Sequence, residues 1–552
     1  FASTVVALTL TPVLCSYMLT TKKALKKNEK EPFVSRTLKV WYKKALEWAL
    51  RHKKVVIGTS AALLIFTIII MTGLGRSFLP PFNEGSLTIN ISTMPGISLE
   101  ESDNMGRMAE KILLDIPEIQ TVARKTGRAE LDEHALGVNV SEMEAPFELD
   151  ERSRDEFLAD VRQRLGELKG VNIEIGQPIS HRIDAMLSGT KANIAIKLFG
   201  NDLNKLYNIG GQIKEAIQGI DGIADLTLEQ QIERPQLQIK PKRDMLAKYG
   251  IPLPEFSEFI NVALSGKVVS QVYEGGKVFD LTVKVHDDAK ANMEQIGNLM
   301  IDANGQKVPL HYVAEILPLV GPNTISRENV QRKIVVSANV AGRDLNGVVK
   351  DIQKTVGEQI TLPEGYHVEY GGQFESEQAA SRTLFLTSVI SILLIFLLLF
   401  NEFHSMPLSS IIMLNLPLAI IGGILSIWFT SGIISIPAII GFISLFGIAT
   451  RNGILLVSHY NHLRSEGMSL HDSVVLGSLD RLNPILMTAL TSALALIPLA
   501  VGGDLPGNEI QSPMAQVILG GLLSSTLLNG FVVPIMYLLL NHKQKEIENL
   551  EM

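Results

Sequence analysis

Apolar residues are distributed unevenly along this 552-residue chain. Long apolar runs lie at residues 55–71 and, in the last third, near 383–400, 408–429, 436–457, 486–502 and 515–540. With its flanks, each approaches the ~20 residues that cross a hydrocarbon core of ~30 Å. A further apolar stretch opens the chain and predicts a helix running to about Leu19. Between Thr72 and Glu377 the pattern changes to short strand and helix periods. A membrane bundle carrying a large extramembrane insertion is the first reading.

Within the insertion, residues 86–93 alternate as a strand, 98–115 have helical spacing that stops before Pro117, and 119–125 are strand-like. A second round follows, with strand 138–149, helix 152–168 and strand 171–175. This βαββαβ order predicts a ferredoxin-like split. It recurs as 193–199, 201–218 and 224–228, completed by 333–340, 345–356 and 367–370. Residues 236–327 separate those two halves. They hold a helix near 254–265 and β-rich sequence punctuated by Tyr273-Glu274-Gly275-Gly276. Residues 465–478 are amphipathic and predict a surface helix between two membrane helices.

Charge sets the orientation. Twelve basic residues, from Lys22 to Lys54, lie between the first two apolar segments. Under the positive-inside rule this linker is cytoplasmic, so the insertion faces outward. The formal net charge of −7 and the lack of a concentrated basic groove argue against nucleic acid as a partner. Cys15 is the only cysteine, which excludes an intrachain disulfide or a cysteine-based zinc site. No charged n-region precedes the first apolar stretch, and the chain opens on Phe1, so it reads as a fragment. No P-loop, dinucleotide fingerprint or nucleophile elbow is present, so energy from ATP bound to this chain is not expected, and no resident cofactor is expected.

Several strings resemble one family. Asp480-Arg481-Leu482-Asn483-Pro484-Ile485-Leu486-Met487-Thr488 resembles the entry to the eleventh membrane helix of resistance–nodulation–division (RND) efflux pumps. Gly447 followed by Arg451-Asn452-Gly453-Ile454-Leu455-Leu456-Val457 is similar to their tenth helix. Ile518-Leu519-Gly520-Gly521-Leu522 through Val533-Pro534 resembles the twelfth, and Ala7-Leu8-Thr9-Leu10-Thr11-Pro12 the end of the sixth. Phe78-Leu79-Pro80-Pro81-Phe82-Asn83-Glu84-Gly85, Lys125-Thr126-Gly127-Arg128, His181-Arg182-Ile183-Asp184 and Gly371-Gly372-Gln373-Phe374-Glu375 resemble the heavy-metal branch, of the Czc and Cus type.

The resemblance implies an α-helical membrane bundle with a large α+β periplasmic domain of ferredoxin-like porter modules and a β-rich docking insertion. Its expected divisions are as follows: the end of the sixth helix (1–20), a basic linker (21–54), the seventh helix (55–74), one porter module (75–190), a second (191–235 and 328–378), the docking insertion (236–327), helices eight to twelve (379–540) and a cytoplasmic tail (541–552). It implies an inner-membrane, proton-driven secondary transporter, not an enzyme, in a Gram-negative cell. The partners would be a missing N-terminal half, two further copies in a homotrimer, a periplasmic adaptor (membrane fusion protein), an outer-membrane channel and the lipid bilayer. The proton-relay acids of the family sit on its fourth helix, which has no counterpart here, so this chain alone is not expected to transport.

Two sets of residues carry the expected chemistry. Arg451 lies in an apolar run, where a cation is costly and usually paired. It stands where many RND pumps have a lysine that faces those acids, and Asn452 and Thr488 fit the same polar track. A structural ion pair, or polar residues serving helix packing, is the plainer alternative. In the outer cleft, Glu130, Asp132, Glu133 and His134 form a dense cluster that Glu142, Glu144 and Asp184 approach if the strands fold back. Carboxylate and imidazole suit Zn, Co, Ni or Cd, whereas Cu(I) prefers sulfur. The places where copper/silver pumps carry methionines hold Asn90, Glu142 and Ala185, with Met143 and Met186 one step away. Solvated loop charges, a Cu(I)/Ag(I) exporter, an exporter of organic compounds and a non-transporting half-protein remain alternatives. Met105 and Met108 are expected in the core.

Overall fold

The computed structural model describes residues 2–18, 32–80, 82–127, 137–149, 152–188, 192–231, 233–322, 324–503 and 505–551. The chain opens with α1 (Ala2–Met18), α2 (Phe33–Arg51) and α3 (Lys53–Gly73). A short β1 (Gly75–Ser77) leads into a first α/β module: β2 (Ser86–Thr93), α4 (Leu99–Leu114), β3 (Ala123–Thr126), β4 (Val140–Pro146), α5 (Arg154–Leu165) and β5 (Val171–Gly176). After α6 (Pro178–Ser188), a second module begins with β6 (Ile194–Phe199), α7 (Leu203–Ile217) and β7 (Ile223–Leu228).

An insertion then runs through β8 (Glu233–Pro241), α8 (Arg243–Tyr249), α9 (Leu253–Leu264), β9 (Lys267–Glu274), β10 (Lys277–Val283), α10 (Met293–Gly297), β11 (Met300–Ala303), β12 (Gln306–Pro309), α11 (Leu310–Val313) and β13 (Ala314–Pro322). The second module closes with β14 (Arg327–Glu328), β15 (Gln331–Val340), α12 (Leu345–Gln359) and β16 (His367–Gly372). The bundle follows: α13 (Gln373–Phe403), α14 (Met406–Met413), α15 (Asn415–Phe429), β17 (Ile433–Ser435), α16 (Ile436–Ser465), α17 (Leu470–Val501) and α18 (Gln511–Glu551).

The modules share one strand order. The first sheet runs β3-β4-β2-β5, and in the second β7 and β6 flank β15, with β16 beyond β6. In both, the order is second, third, first, fourth along the module. Period-two alternation explains β2. Leu87, Ile89 and Ile91 enter the first core, while Thr88 and Asn90 turn to the other face. That polar face is also buried, because α6 packs across it. The helices start on side-chain caps. Ser98 accepts from Glu101 N at 3.2 Å, Ser153 and Glu156 form a capping box, and Asp202 accepts from Lys205 N at 3.0 Å. The insertion hangs from the β8–β13 ribbon and projects the hairpin β9–β10, which turns at Gly275 and Gly276. Both glycines have positive φ (53° and 79°), as a tight two-residue hairpin turn requires.

Among the described residues, six helical segments are long and apolar enough to cross a membrane: α3, α13, the pair α14–α15, α16, α17 and α18. Their core is held by small residues. Gly422 on α15 and Gly520 on α18 bring the two backbones together, and Gly422 N donates to Ser524 Oγ at 3.0 Å. β1 pairs in parallel with β17, joining the exit of α3 to the loop between α15 and α16.

Two expectations change. Residues 465–478 do not form a separate surface helix. From Leu470 they continue into the membrane helix α17, and the turn at Gly467 (φ 93°) precedes it. Pro484 lies inside α17 without ending it. The amphipathic surface helix is instead α2, within the basic segment, with Leu46, Ala49 and Leu50 buried and Trp41 and Trp48 exposed. The apolar run at 408–429 forms one candidate span, as expected, with a single-residue turn at Leu414 between α14 and α15. Met105 and Met108 are not core: α4 turns Ser102, Gly106, Ala109 and Leu113 inward and leaves Met108 exposed.

Candidate functional site

A cavity of about 680 Å³ opens where the two modules meet the start of the bundle. Its polar walls include Gln177, His181, Asp184, Asn193, Asn339 and Gln373. The edges of the two sheets touch there. Arg162 on α5 forms a two-pronged pair with Asp225 at 3.0 and 3.1 Å, and Thr227 donates to Glu174 at 3.0 Å.

α6 carries the central groups, and Glu84 sets its position. The Glu84 carboxylate accepts from Ile179 N (2.6 Å) and Ser180 N (3.1 Å), covering donors that a helix N-terminus leaves open. Glu84 N in turn donates to Gln177 Oε1 at 3.1 Å. Next to it, Asn83 N donates to Glu509 in the loop between α17 and α18 at 3.0 Å. A continuous chain of contacts therefore joins the bundle to α6. Gly176 lets the His181 ring lie on the backbone, since a Cβ there would fall 2.0 Å from its Nε2.

One turn later, Asp184 is 3% exposed and accepts from Gln373 Nε2 (2.7 Å) and Asn193 Nδ2 (3.3 Å). Burial pushes its carboxyl up to about 6, against those two donors. The ionised form is therefore disfavoured in the folded state. Stability from this group is complete below its ordinary value near 4 and is lost as pH rises through 6. Asp184→Asn should accordingly raise thermal stability at pH 8, by roughly 2–3 kcal/mol from a shift of that size, and leave it unchanged at pH 4. Melting curves at the two pH values test this; equal effects at both would show that burial does not control the group.

Of the expected metal ligands, Glu130, Asp132, Glu133 and His134 lie outside the described residues, in the segment joining β3 to β4. Glu142 on β4 stands opposite Asn90 of β2 and pairs with Lys125 at 2.7 Å. The Asn90 amide lies 3.5 Å from His181 Nδ1, so Glu142, Asn90, His181 and Asp184 follow one another across β4, β2 and α6. Among the described residues, no three acid, histidine or cysteine side chains converge to hold a metal ion. The two nearby methionines point elsewhere. Met143, opposite Ile89, is fully buried in the first core, and Met186 is 86% exposed.

The expected coupling residues do not converge either. Arg451 is exposed on α16 and forms no ion pair with a described residue, while its neighbour Asn452 is 1% exposed. Thr488 donates back to Ile485 O within α17 at 2.9 Å. Sequence reasoning missed α6, His181 as a cavity group, and the buried Asn415 and Asn529. The two asparagines had a readable signal, being polar residues inside apolar runs. α6 had none, because its cap comes from Glu84, far away along the chain.

Comparison with known proteins places the chain. The family model described as AcrB/AcrD/AcrF matches residues 1–541. Cobalt-zinc-cadmium resistance protein CzcA of Cupriavidus metallidurans is 34% identical over 534 residues, covering 94% of this chain and 50% of that protein. Nickel and cobalt resistance protein CnrA of the same organism is 30% identical, covering 96% and 50%. Cation efflux system protein CusA of Escherichia coli is 27% identical, covering 87% and 47%. Among solved structures, a heavy metal efflux pump (crystal form II) superimposes with a TM-score of 0.79 at 28% identity, covering 93% of this chain and 52% of that one. The chain thus spans about half the length of the curated relatives it matches.

Proposed function

The chain belongs to the AcrB/AcrD/AcrF family, and from that membership we propose that it is one half of a heavy-metal efflux pump that exports divalent cations such as Zn²⁺, Co²⁺, Cd²⁺ or Ni²⁺ in exchange for protons. The names of CzcA and CnrA, with cobalt, zinc, cadmium and nickel, support this cargo. In this reading residues 75–190 and 191–235 with 328–378 are ferredoxin-like porter modules, and residues 236–327 dock onto the rest of the assembly. The pump sits in the inner membrane as a homotrimer, with its insertion in the periplasm, an adaptor around it and an outer-membrane channel beyond. Arg451, exposed on this chain, faces the half that this chain does not contain, and with Asn452 and Thr488 it takes part in proton coupling.

One observation carries the choice of metal. Period two on β4 turns Glu142 toward the polar face and Met143 into the core. The side of the sheet that meets Asn90 and α6 therefore offers oxygen and nitrogen, not sulfur. Together with Glu130, Asp132, Glu133, His134 and Asp184, Glu142 gives a donor set suited to a borderline divalent cation, which needs about four ligands at ~2.0–2.2 Å.

The test is metal resistance in cells that lack other exporters. The complete pump should protect against zinc, cobalt or cadmium, and Glu130→Ala with His134→Ala should remove that protection. Protection against copper or silver alone, surviving the double change but lost with Met143→Ala and Met186→Ala, would reverse the assignment.

A further inference from the structure

A second cavity, of about 280 Å³, lies inside the membrane bundle between α2, α16, α17 and α18. Its size falls just below the ~300–1,000 Å³ typical of small-molecule sites, which suits a small ligand. The walls are mainly apolar, with Trp41, Leu456, Leu486 and Phe531 prominent, and among the described residues no charged side chain lines it. Two of its polar groups are already satisfied: Tyr42 donates to Gly530 O at 2.6 Å, and Ser478 bonds Tyr460 at 2.6 Å.

Two others are not. Asn452 is 1% exposed and Asn529 2% exposed, and both line the cavity. Among the described residues, neither carboxamide has a hydrogen-bond partner for its oxygen or its nitrogen. Thr526 Oγ1, one turn from Asn529, is also without one. Each such buried group costs ~1–3 kcal/mol. Their neighbours in the walls offer no compensation.

We propose that this cavity binds a neutral amphiphile, an apolar body carrying one hydrogen-bonding group such as an alcohol or amide. The asparagines present donors and acceptors together, which an alcohol or amide matches with a single group. An ionised ligand would bury an unpaired charge among uncharged walls. Water at the asparagines would leave most of the apolar wall hydrated, a cost that the body of an amphiphile removes. The entrance also favours an amphiphile. α2 is amphipathic, its Trp41 is 75% exposed at the rim, and tryptophan concentrates at the membrane–water boundary. The ligand therefore enters either from the bilayer, as a neutral lipid, or as a small molecule dissolved in it.

The full chain in lipid nanodiscs, photolabelled with 3-azioctanol and mapped by mass spectrometry, tests this. Adducts should concentrate on the lining of α2, α16, α17 and α18, and excess 1-octanol should reduce them at least tenfold while n-nonane does not. Competition by dioleoylglycerol as well identifies a lipid source; competition by octanol alone identifies a small free amphiphile. Asn452→Leu with Asn529→Leu should reduce labelling about tenfold. Leu486→Trp, which fills the cavity and leaves the asparagines intact, should do the same. Adducts spread over α13 and the outer face of α17 without competition, equal competition by nonane, or labelling unchanged in both variants would overturn the proposal.

Discussion

Arg451→Ala in the complete pump is expected to abolish proton-coupled export, at least a hundredfold, while expression and melting temperature stay unchanged. Arg451 sits midway along α16, in an apolar run, exposed on the surface of this chain and without a described acidic partner. A cation at the centre of a bilayer costs ~2.5–3.5 kcal/mol or more unless it faces protein or water. Its packing within this half is slight, so its removal should not loosen the fold. In the function proposed above, a missing positive charge would instead change the field at the acids expected to carry protons in the other half. Proton uptake recorded with a pH-sensitive dye in membrane vesicles gives the answer, and unchanged export by the variant would remove Arg451 from coupling.

Gly520→Val should have the largest structural effect, preventing assembly of the bundle. A Cβ on Gly520 would lie 2.3 Å from Gly422 O, and one on Gly422 would lie 2.0 Å from Gly520 O. Both obstacles are backbone atoms, which cannot rotate away. Overpacking of this kind costs about 3 kcal/mol or more. Ser524, which bonds Gly422 N and Leu418 O across the same interface, would be lost with it. Gly447→Ala is the matched control, because nothing lies within 4 Å of its added Cβ. The yield of folded protein by size-exclusion chromatography separates the two; equal yields would mean that α15 and α18 are not closely packed.

The parts of the fold that are legible in the sequence are those set by local period. Leu87, Ile89 and Ile91 alternate with Thr88 and Asn90, and β2 follows directly. The second module is recognisable across its insertion because β6, α7 and β7 repeat the pattern of the first. The same alternation puts Glu142 and Met143 on opposite faces of β4. What depends on distant partners is not legible. α6 is placed by Glu84, 95 residues before Ile179, and Asp184 is held by Gln373, 189 residues further on. The continuity of α17 through Pro484 is likewise hidden, since proline in a soluble helix would mark an end, whereas packing in a membrane bundle tolerates it. Asn529 is readable as a polar residue inside an apolar run, but the face it takes on α18 is set by packing against distant helices.

The central claim is that this chain supplies half of a proton-driven exporter of borderline divalent cations. Paired ion flux in liposomes tests it most directly. The complete pump is reconstituted with a metal-sensitive dye on one side and a pH-sensitive dye on the other, and a proton gradient is imposed. The account predicts that Zn²⁺ or Co²⁺ moves only while protons move the opposite way, and that Asp184→Ala with Glu142→Ala stops metal movement. Metal movement that ignores the proton gradient, or movement of Ag⁺ but not Zn²⁺ that survives the loss of both carboxylates, would contradict it.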